Sequence, residues 1–337
     1  MILKKLLKKI EKTMKIKFSS FNYIVIFFIS IFFAILVGNG LYGYGHDYYE
    51  AYSKNNLVWG GIFDRLGFLL ATLTINNVHV GVYLNTFLLS LSTGLILLVT
   101  MYNYFNKKNI FLFLVIYLVL LHTWPIIMST SNAMRQGLSM SFLFFALYFL
   151  IKGQKKIVFF SLLLMIFTHK SGIIFATLLI GILIYNRLFR NLSNITKRFF
   201  LFLLCVLFGV FLYFLLPMIF GNIEETRVIA GDMRIPFFLI NFTFIVVYLI
   251  SFRKKVNDFI DDFLLMCSIS FIIFLFLGFN WQYERLNMVV IILYMIFFSK
   301  LFIKKHVPFI ILFIFISLLL LTITMGMYSK ALTGFIF

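Results

Sequence analysis

Two short polar motifs interrupt the long apolar runs of this 337-residue sequence. Arg135 and Gln136 open one apolar segment. His169 and Lys170 separate two further apolar segments about 34 residues later. An arginine offers a planar fork of donors that matches a phosphate or a carboxylate, and a histidine exchanges protons near neutral pH. Ionisable groups at membrane depth are costly, so these residues are candidates for anion binding and acid–base chemistry.

A second set of candidates lies at other segment ends and in the polar stretches 42–78 and 221–235. Its members are Asp47, Tyr48, Arg227, Arg234, Trp281, Tyr283, Glu284 and Arg285. Simpler roles are open for all the candidates. Arg135 can snorkel to the interface or pair with an acid, and His169 can be a turn residue whose ring bonds a neighbouring carbonyl. The aromatic residues can form an interfacial belt, and the loop charges can be solvated.

The elements that must position these residues are apolar helices. The sequence is 63% hydrophobic and only 12% charged, whereas a soluble domain carries about 25% charged residues. An ordinary soluble enzyme is therefore excluded, and we predict an all-α, polytopic membrane protein. Eleven crossings are expected at 21–41, 79–104, 109–123, 134–151, 157–168, 171–186, 199–220, 236–252, 262–279, 286–303 and 308–327.

The basic residues sort to alternate loops between these segments. With the N-terminus in the cytoplasm and the C-terminus outside, 22 of the 30 basic residues fall in inner loops. Lys300 is one of these basic residues, and Asp261 is one of the acids assigned to the same side. Residues 1–17 are predicted to form a basic amphipathic helix on the inner leaflet, followed by one transmembrane domain over 18–337. The basic excess is thus a topology signal, and no nucleic-acid partner is expected. Among the few outer basic residues, arginine outnumbers lysine by 5 to 3, which indicates an outer site for an anionic group.

The order and spacing of four motifs resemble those of the EpsG family, a branch of the Wzy-like bacterial polysaccharide polymerases, between about residues 40 and 300. The motifs are Asp47-Tyr48-Tyr49, Arg135-Gln136-Gly-Leu-Ser139, Thr168-His169-Lys170-Ser171 and Tyr283-Glu284-Arg285-Leu286. The sequence departs from the family pattern at 63–68, where it reads Phe-Asp-Arg-Leu-Gly-Phe. Asp64 and Arg65 are therefore given no role.

The resemblance implies a multi-pass protein of the bacterial cytoplasmic membrane and a reaction at its outer face. Such a polymerase moves a growing glycan from undecaprenyl diphosphate to a sugar hydroxyl of the next lipid-linked repeat unit, in O-antigen, capsule or exopolysaccharide synthesis. No metal or cofactor is expected, and a flippase and a chain-length regulator are expected partners. The implied roles are diphosphate binding by Arg135, Arg285, Arg227 and Arg234, general base catalysis by His169 with Asp47 and Glu284 in reserve, and sugar binding by Tyr48, Trp281, Tyr283 and Gln136.

Three other functions are compatible with the sequence. One is a glycosyltransferase that adds a single sugar from a polyprenyl-phosphate donor, for which Asp47 and Glu50 are a candidate acidic pair. Another is a flippase of lipid-linked glycans, although no internal repeat is evident and the charges sit at segment ends. The third is a membrane acyltransferase, in which a buried histidine is expected.

Overall fold

A computed structural model of the chain describes residues 20–45, 48–52, 62–76, 78–101, 110–189, 194–220, 234–252, 259–276 and 283–303. The regular structure of these residues is helical, as predicted, with a π-helical turn at Tyr48–Tyr52 and a 3-10 turn at Ile62–Asp64. The α-helices are α1 (Ser20–Gly38), α2 (Arg65–Ala71), α3 (Val80–Met101), α4 (Ile110–Leu121), α5 (Trp124–Ser131), α6 (Met134–Ile151), α7 (Lys155–Thr168), α8 (Ser171–Leu188), α9 (Asn194–Phe220), α10 (Arg234–Phe252), α11 (Phe259–Phe276) and α12 (Tyr283–Ile303).

Ten of the eleven predicted segments coincide with a helix of the structure. The predicted break at His169–Lys170 is confirmed, because α7 ends and α8 begins on either side of it. Helix α5 was not predicted, since Ser129, Thr130 and Ser131 interrupt its apolar pattern. Segments 1–17 and 308–327 lie outside the described residues. Eleven crossings and the orientation of the termini therefore stay predictions.

The helices have the lengths and surfaces of membrane-spanning elements. Among the described residues, four helices are long and apolar enough to cross a membrane, and α4 with α5, bent by 55°, would be a fifth. Large apolar side chains stand more than half exposed on several helices, among them Phe28, Phe111 and Phe160. Such exposure suits lipid tails and not water. The protein is thus a multi-pass membrane protein.

The described residues divide into two compact units, of which the first ends at Gly172. In this unit α3 packs against α1 and α6, and α6 packs against α7. Buried hydroxyl groups connect three of its helices: the Ser30 hydroxyl lies 2.9 Å from the Tyr117 hydroxyl, which in turn donates to the Ser90 carbonyl at 2.9 Å. Hydrogen bonds of this kind hold helices together where the apolar surroundings give no hydrophobic driving force.

The second unit begins at Ile173, and in it α11 packs against α9, α10 and α12. The Asn241 amide donates to the Asn287 carbonyl oxygen at 2.6 Å, which joins α10 to α12. Asp261 and Lys300 form a buried ion pair between α11 and α12, each with a side chain at most 2% exposed. The assignment of these two charges to loops was wrong. Each is neutralised inside the protein, because a lone buried charge would be far more costly than a pair.

The short helix α2 reaches the end of α7 through a contact that only glycine permits. A Cβ atom on Gly67 would lie 2.0 Å from the Thr168 carbonyl oxygen. Backbone oxygen cannot move aside as a flexible side chain can. The glycine therefore sets how closely the segment 62–71 approaches the break between α7 and α8.

We expect Gly67→Ala to destabilise the protein by about 1–3 kcal/mol, the usual cost of overpacking a close contact. The measurement is the thermal unfolding midpoint of the purified protein in detergent. Gly181→Ala is the matched control, because its Cβ would meet only the ends of the Phe208 and Met266 side chains. If the two variants unfold at the same temperature, the close approach of α2 to α7 is wrong.

Candidate functional site

Arg135 lies in the first turn of α6, beside a buried polar turn. Its side chain is 18% exposed and reaches two residues of the segment 48–64. The Nη1 atom lies 3.8 Å from Asp64 Oδ1, and Nε donates to the Tyr52 hydroxyl at 3.4 Å. Of the two simpler roles open to Arg135, pairing with an acid is the one observed. The Asp64 and Tyr52 contacts engage two of the three guanidinium nitrogens and so fix its plane.

The turn between α5 and α6 is held by hydrogen bonds from other segments. A helix end leaves its last carbonyl groups without partners inside the helix. The Asn85 amide donates to the Ser129 carbonyl at 2.7 Å, and the Gly45 N–H donates to the Ser131 carbonyl at 3.0 Å. Gly137 lets α6 pass close to the Ser129 carbonyl, at 2.2 Å from where its Cβ would stand. The start of α6, and with it Arg135, is therefore fixed.

His169 forms the break between α7 and α8 and is buried, with 5% exposure. Its Nδ1 lies 2.7 Å from the Ser171 hydroxyl and accepts a hydrogen bond from the Ser171 N–H at 3.2 Å. The ring thus caps the start of α8, as Asn or Ser side chains commonly do. The expected alternative was a bond to a carbonyl, whereas the observed partners are an amide and a hydroxyl.

Asp64 connects the two motifs, although the sequence pattern does not predict it as a site residue. Besides pairing with Arg135, its carboxylate accepts a hydrogen bond from the Lys170 backbone N–H. Burial raises the pKa of the Asp64 carboxyl, and the Arg135 and Lys170 charges and the Lys170 hydrogen bond oppose that rise. The sequence feature that could have pointed to Asp64 is Gly67, which follows it by one helical turn and packs against Thr168.

An aromatic cluster, defined as Tyr44, Tyr48, Tyr49 and His79, lies beside Tyr52. The Tyr44 and Tyr48 rings stack with centroids 4.3 Å apart, and the His79 ring meets Tyr48 at 5.0 Å. Tyr49 is exposed, and His79 Nε2 lies 3.4 Å from the Tyr52 carbonyl oxygen. Tyr48 was a predicted sugar ligand, whereas Tyr44 and His79 were not predicted. The cluster is connected to Arg135 through Tyr52, whose carbonyl oxygen lies near His79 and whose hydroxyl accepts from Arg135.

The other predicted residues are less fully described. Gln136 is buried at 2% exposure, next to Arg135 in α6. The residues Asp47, Arg227 and Trp281 lie outside the described part of the chain. Four others belong to the first turns of α10 and α12, which is all that the structure describes of them: Arg234, Tyr283, Glu284 and Arg285. Among the described residues, no three His, Cys, Asp or Glu side chains are placed to hold a metal ion.

The charges of the site favour an anionic ligand. Arg135 and Lys170 contribute two positive charges against the one negative charge of Asp64. The pair is nearly buried, at 18% and 7% exposure, so it acts in a medium that screens charge less than water does. The first unit thus brings together an arginine, a buried carboxylate and, next to Lys170, a buried histidine. Binding of an anion and transfer of a proton require side chains of these kinds.

The raised pKa of Asp64 predicts how stability depends on pH. A carboxyl whose pKa is higher in the folded state binds a proton more readily when folded, so its protonation stabilises the protein. That stabilisation is present at low pH and is lost as pH rises through the folded pKa. We therefore expect wild-type protein to gain thermal stability relative to Asp64→Asn as the pH is lowered from neutral. Unfolding midpoints that run parallel at every pH would contradict the burial of this group.

The comparisons with known proteins bear on the family of the chain. The family model of the EpsG family matches residues 16–336, nearly the whole sequence. No curated protein and no solved structure matches the chain. The match spans both units of the structure and includes the Arg135 and His169 motifs. The chain therefore belongs to the EpsG family.

Proposed function

We propose that the protein is a polymerase of lipid-linked oligosaccharide repeat units, acting at the outer face of the bacterial cytoplasmic membrane. Its EpsG family membership supports a polymerase-type role in polysaccharide biosynthesis. The observation that carries the proposal is the junction at Asp64, whose carboxylate contacts both Arg135 and the backbone of Lys170. An anion-binding group beside a proton acceptor suits a reaction in which a charged leaving group departs while a hydroxyl attacks.

The reaction makes one bond and breaks one. The hydroxyl oxygen of the acceptor sugar bonds to the anomeric carbon of the donor glycan, while the bond from that carbon to undecaprenyl diphosphate breaks. The hydroxyl proton passes to a base, and the diphosphate leaves with the electron pair. The protein must stabilise the charge that develops on the diphosphate and must hold the base near the hydroxyl.

In this proposal Arg135 binds the leaving diphosphate. Its fixed guanidinium plane suits a bidentate contact with phosphate oxygens, and Lys170 adds positive charge to the site. Arg285, Arg227 and Arg234 are proposed to complete the diphosphate contacts. No metal is required, because cationic side chains supply the same stabilisation.

His169 is proposed as the general base. In the structure Nδ1 accepts the Ser171 N–H, so base catalysis requires the other tautomer, in which the proton stands on Nδ1, the ring donates to the Ser171 hydroxyl at 2.7 Å and Nε2 takes the proton of the acceptor. The Ser171 hydroxyl can accept such a bond without moving, because it already lies beside Nδ1. Asp47 and Glu284 are the reserve candidates. The exposed face of the aromatic cluster, together with Trp281, Tyr283 and Gln136, is proposed to bind sugar rings, as aromatic side chains offer large rigid surfaces.

The lipid-linked product of a deletion strain tests the function directly. We expect the strain to accumulate a single complete repeat unit on its lipid carrier, displayed at the outer face of the membrane. An incomplete unit would instead identify a transferase that adds one sugar. Complete units trapped on the cytoplasmic side would identify a flippase, and either result would overturn the proposal.

Arg135→Lys is expected to reduce chain growth nearly as much as Arg135→Ala. A point charge cannot replace a planar fork that contacts phosphate, Asp64 and Tyr52 together. The measurement is polymer length and amount in cells with equal levels of inserted protein. Recovery of most chain growth with lysine would show that Arg135 only anchors α6 at the interface.

Substitution of His169 separates catalysis from helix capping. Asparagine retains an oxygen that can accept the Ser171 N–H, so His169→Asn should keep the start of α8 intact. It cannot serve as the base, and we expect turnover to fall by about 10²–10⁴-fold, as for loss of a positioned general base. His169→Ala, which loses both functions, is the comparison. Normal chain growth with asparagine would make His169 a cap alone.

A further inference from the structure

The Asp64 side chain contacts both motifs of the candidate site. Its Oδ1 atom lies 3.8 Å from Arg135 Nη1, and its carboxylate accepts the hydrogen bond of the Lys170 N–H. Arg135 stands in the first turn of α6, and Lys170 immediately precedes α8. A single carboxylate therefore joins the starts of two helices that are separated along the chain by α7.

The close contact at Gly67 holds Asp64 in this place. The glycine lies one turn after Asp64, and its backbone is pressed against the Thr168 carbonyl at the end of α7. Because this contact leaves no room for a side chain, the segment 62–71 cannot shift along α7 without a clash. The distance from Asp64 to the His169–Lys170 turn is thus set by backbone packing and not by side-chain rotamers.

Stability alone does not account for a carboxylate at this position. Its side chain is 7% exposed, and burying a charge costs about as much as a buried ion pair returns. A pair of apolar residues could fill the same space without that cost. What a carboxylate adds is a negative charge that attracts a guanidinium and an acceptor for a backbone N–H at the same time.

We propose that Asp64 is a positioning residue, which orients the Arg135 guanidinium toward the diphosphate and holds the His169–Lys170 turn at a fixed distance from it. The inference rests on the proposed function, because it is that reaction which requires the Arg135 guanidinium and the His169–Lys170 turn at a fixed separation. Asp64 itself takes no part in bond making. Small displacements of groups around a reacting centre cost as much as about 100-fold in rate, so positioning has a measurable effect.

The test is a double-mutant cycle on chain growth by purified protein in lipid nanodiscs, supplied with lipid-linked repeat units from the deletion strain. Asp64→Asn has the shape of aspartate and retains an acceptor for the Lys170 N–H, but it lacks the charge that holds Arg135. We expect its kcat to fall about 10- to 100-fold with KM changed less than about threefold. In an Arg135→Ala background the same change should lower kcat less than about twofold, because there is no guanidinium left to orient.

Asp262→Asn is the matched control, since Asp262 is a carboxylate that accepts a hydrogen bond from the Tyr248 hydroxyl and belongs to the second unit. It should change kcat less than about twofold. Unfolding midpoints and elution profiles of all variants report whether they fold. If Asp64→Asn only damaged folding, its loss of kcat would be the same with or without Arg135. A double variant whose kcat falls by the product of the two single losses would therefore overturn the positioning role.

The outcomes also distinguish the two proposals. If wild-type protein forms no polymer from these repeat units, the proposed function fails, and the role of Asp64 falls with it. If wild-type protein polymerises them and Asp64→Asn does so at an equal rate, only the role of Asp64 is wrong. If Asp64→Asn raises KM tenfold with kcat unchanged, Asp64 contributes to substrate binding and does not position Arg135 for the chemical step.

Discussion

The structure of the first unit depends on one constraint: a helix that breaks inside an apolar environment must find partners for the backbone groups that it releases. In lipid, no water is available to take their place. The chain breaks between α5 and α6 and between α7 and α8, and in each case other side chains or loops supply the missing hydrogen bonds. Both breaks carry the residues with the strongest claim to function. Helix breaks and polar side chains thus occur together, because a break leaves backbone groups without helical partners and polar side chains supply those partners.

Two ion pairs among the described residues show two ways to bury charge in such a protein. Asp261 and Lys300 are enclosed almost completely, so that their charges cancel and connect two helices. Arg135 keeps 18% of its side chain exposed beside the buried Asp64, with a further positive charge on Lys170 nearby. The first arrangement suits a structural link. The second leaves a net positive site that can still attract an anion.

Much of the helical layout could be predicted from sequence, because apolar runs of membrane length have few alternative structures. The break at His169 was also predictable, since two short runs flank a polar turn. Helix α5 was not, because its serine and threonine residues bond to backbone carbonyls one turn earlier and so escape a hydropathy pattern. Asp64 was missed for a different reason: its importance lies in a contact across some 70 to 106 residues of sequence, which no local motif records.

The length of the contact between Arg135 and Asp64 has a consequence for how a ligand could leave. At 3.8 Å the Nη1 and Oδ1 atoms attract each other but stand beyond ordinary hydrogen-bond distance. The attraction of Asp64 for that nitrogen is thus electrostatic and not a hydrogen bond, and the carboxylate remains nearby when an anion dissociates. Aspartate can therefore act as a resident counter-ion, which keeps the arginine from holding a product too tightly and favours repeated cycles of binding and release.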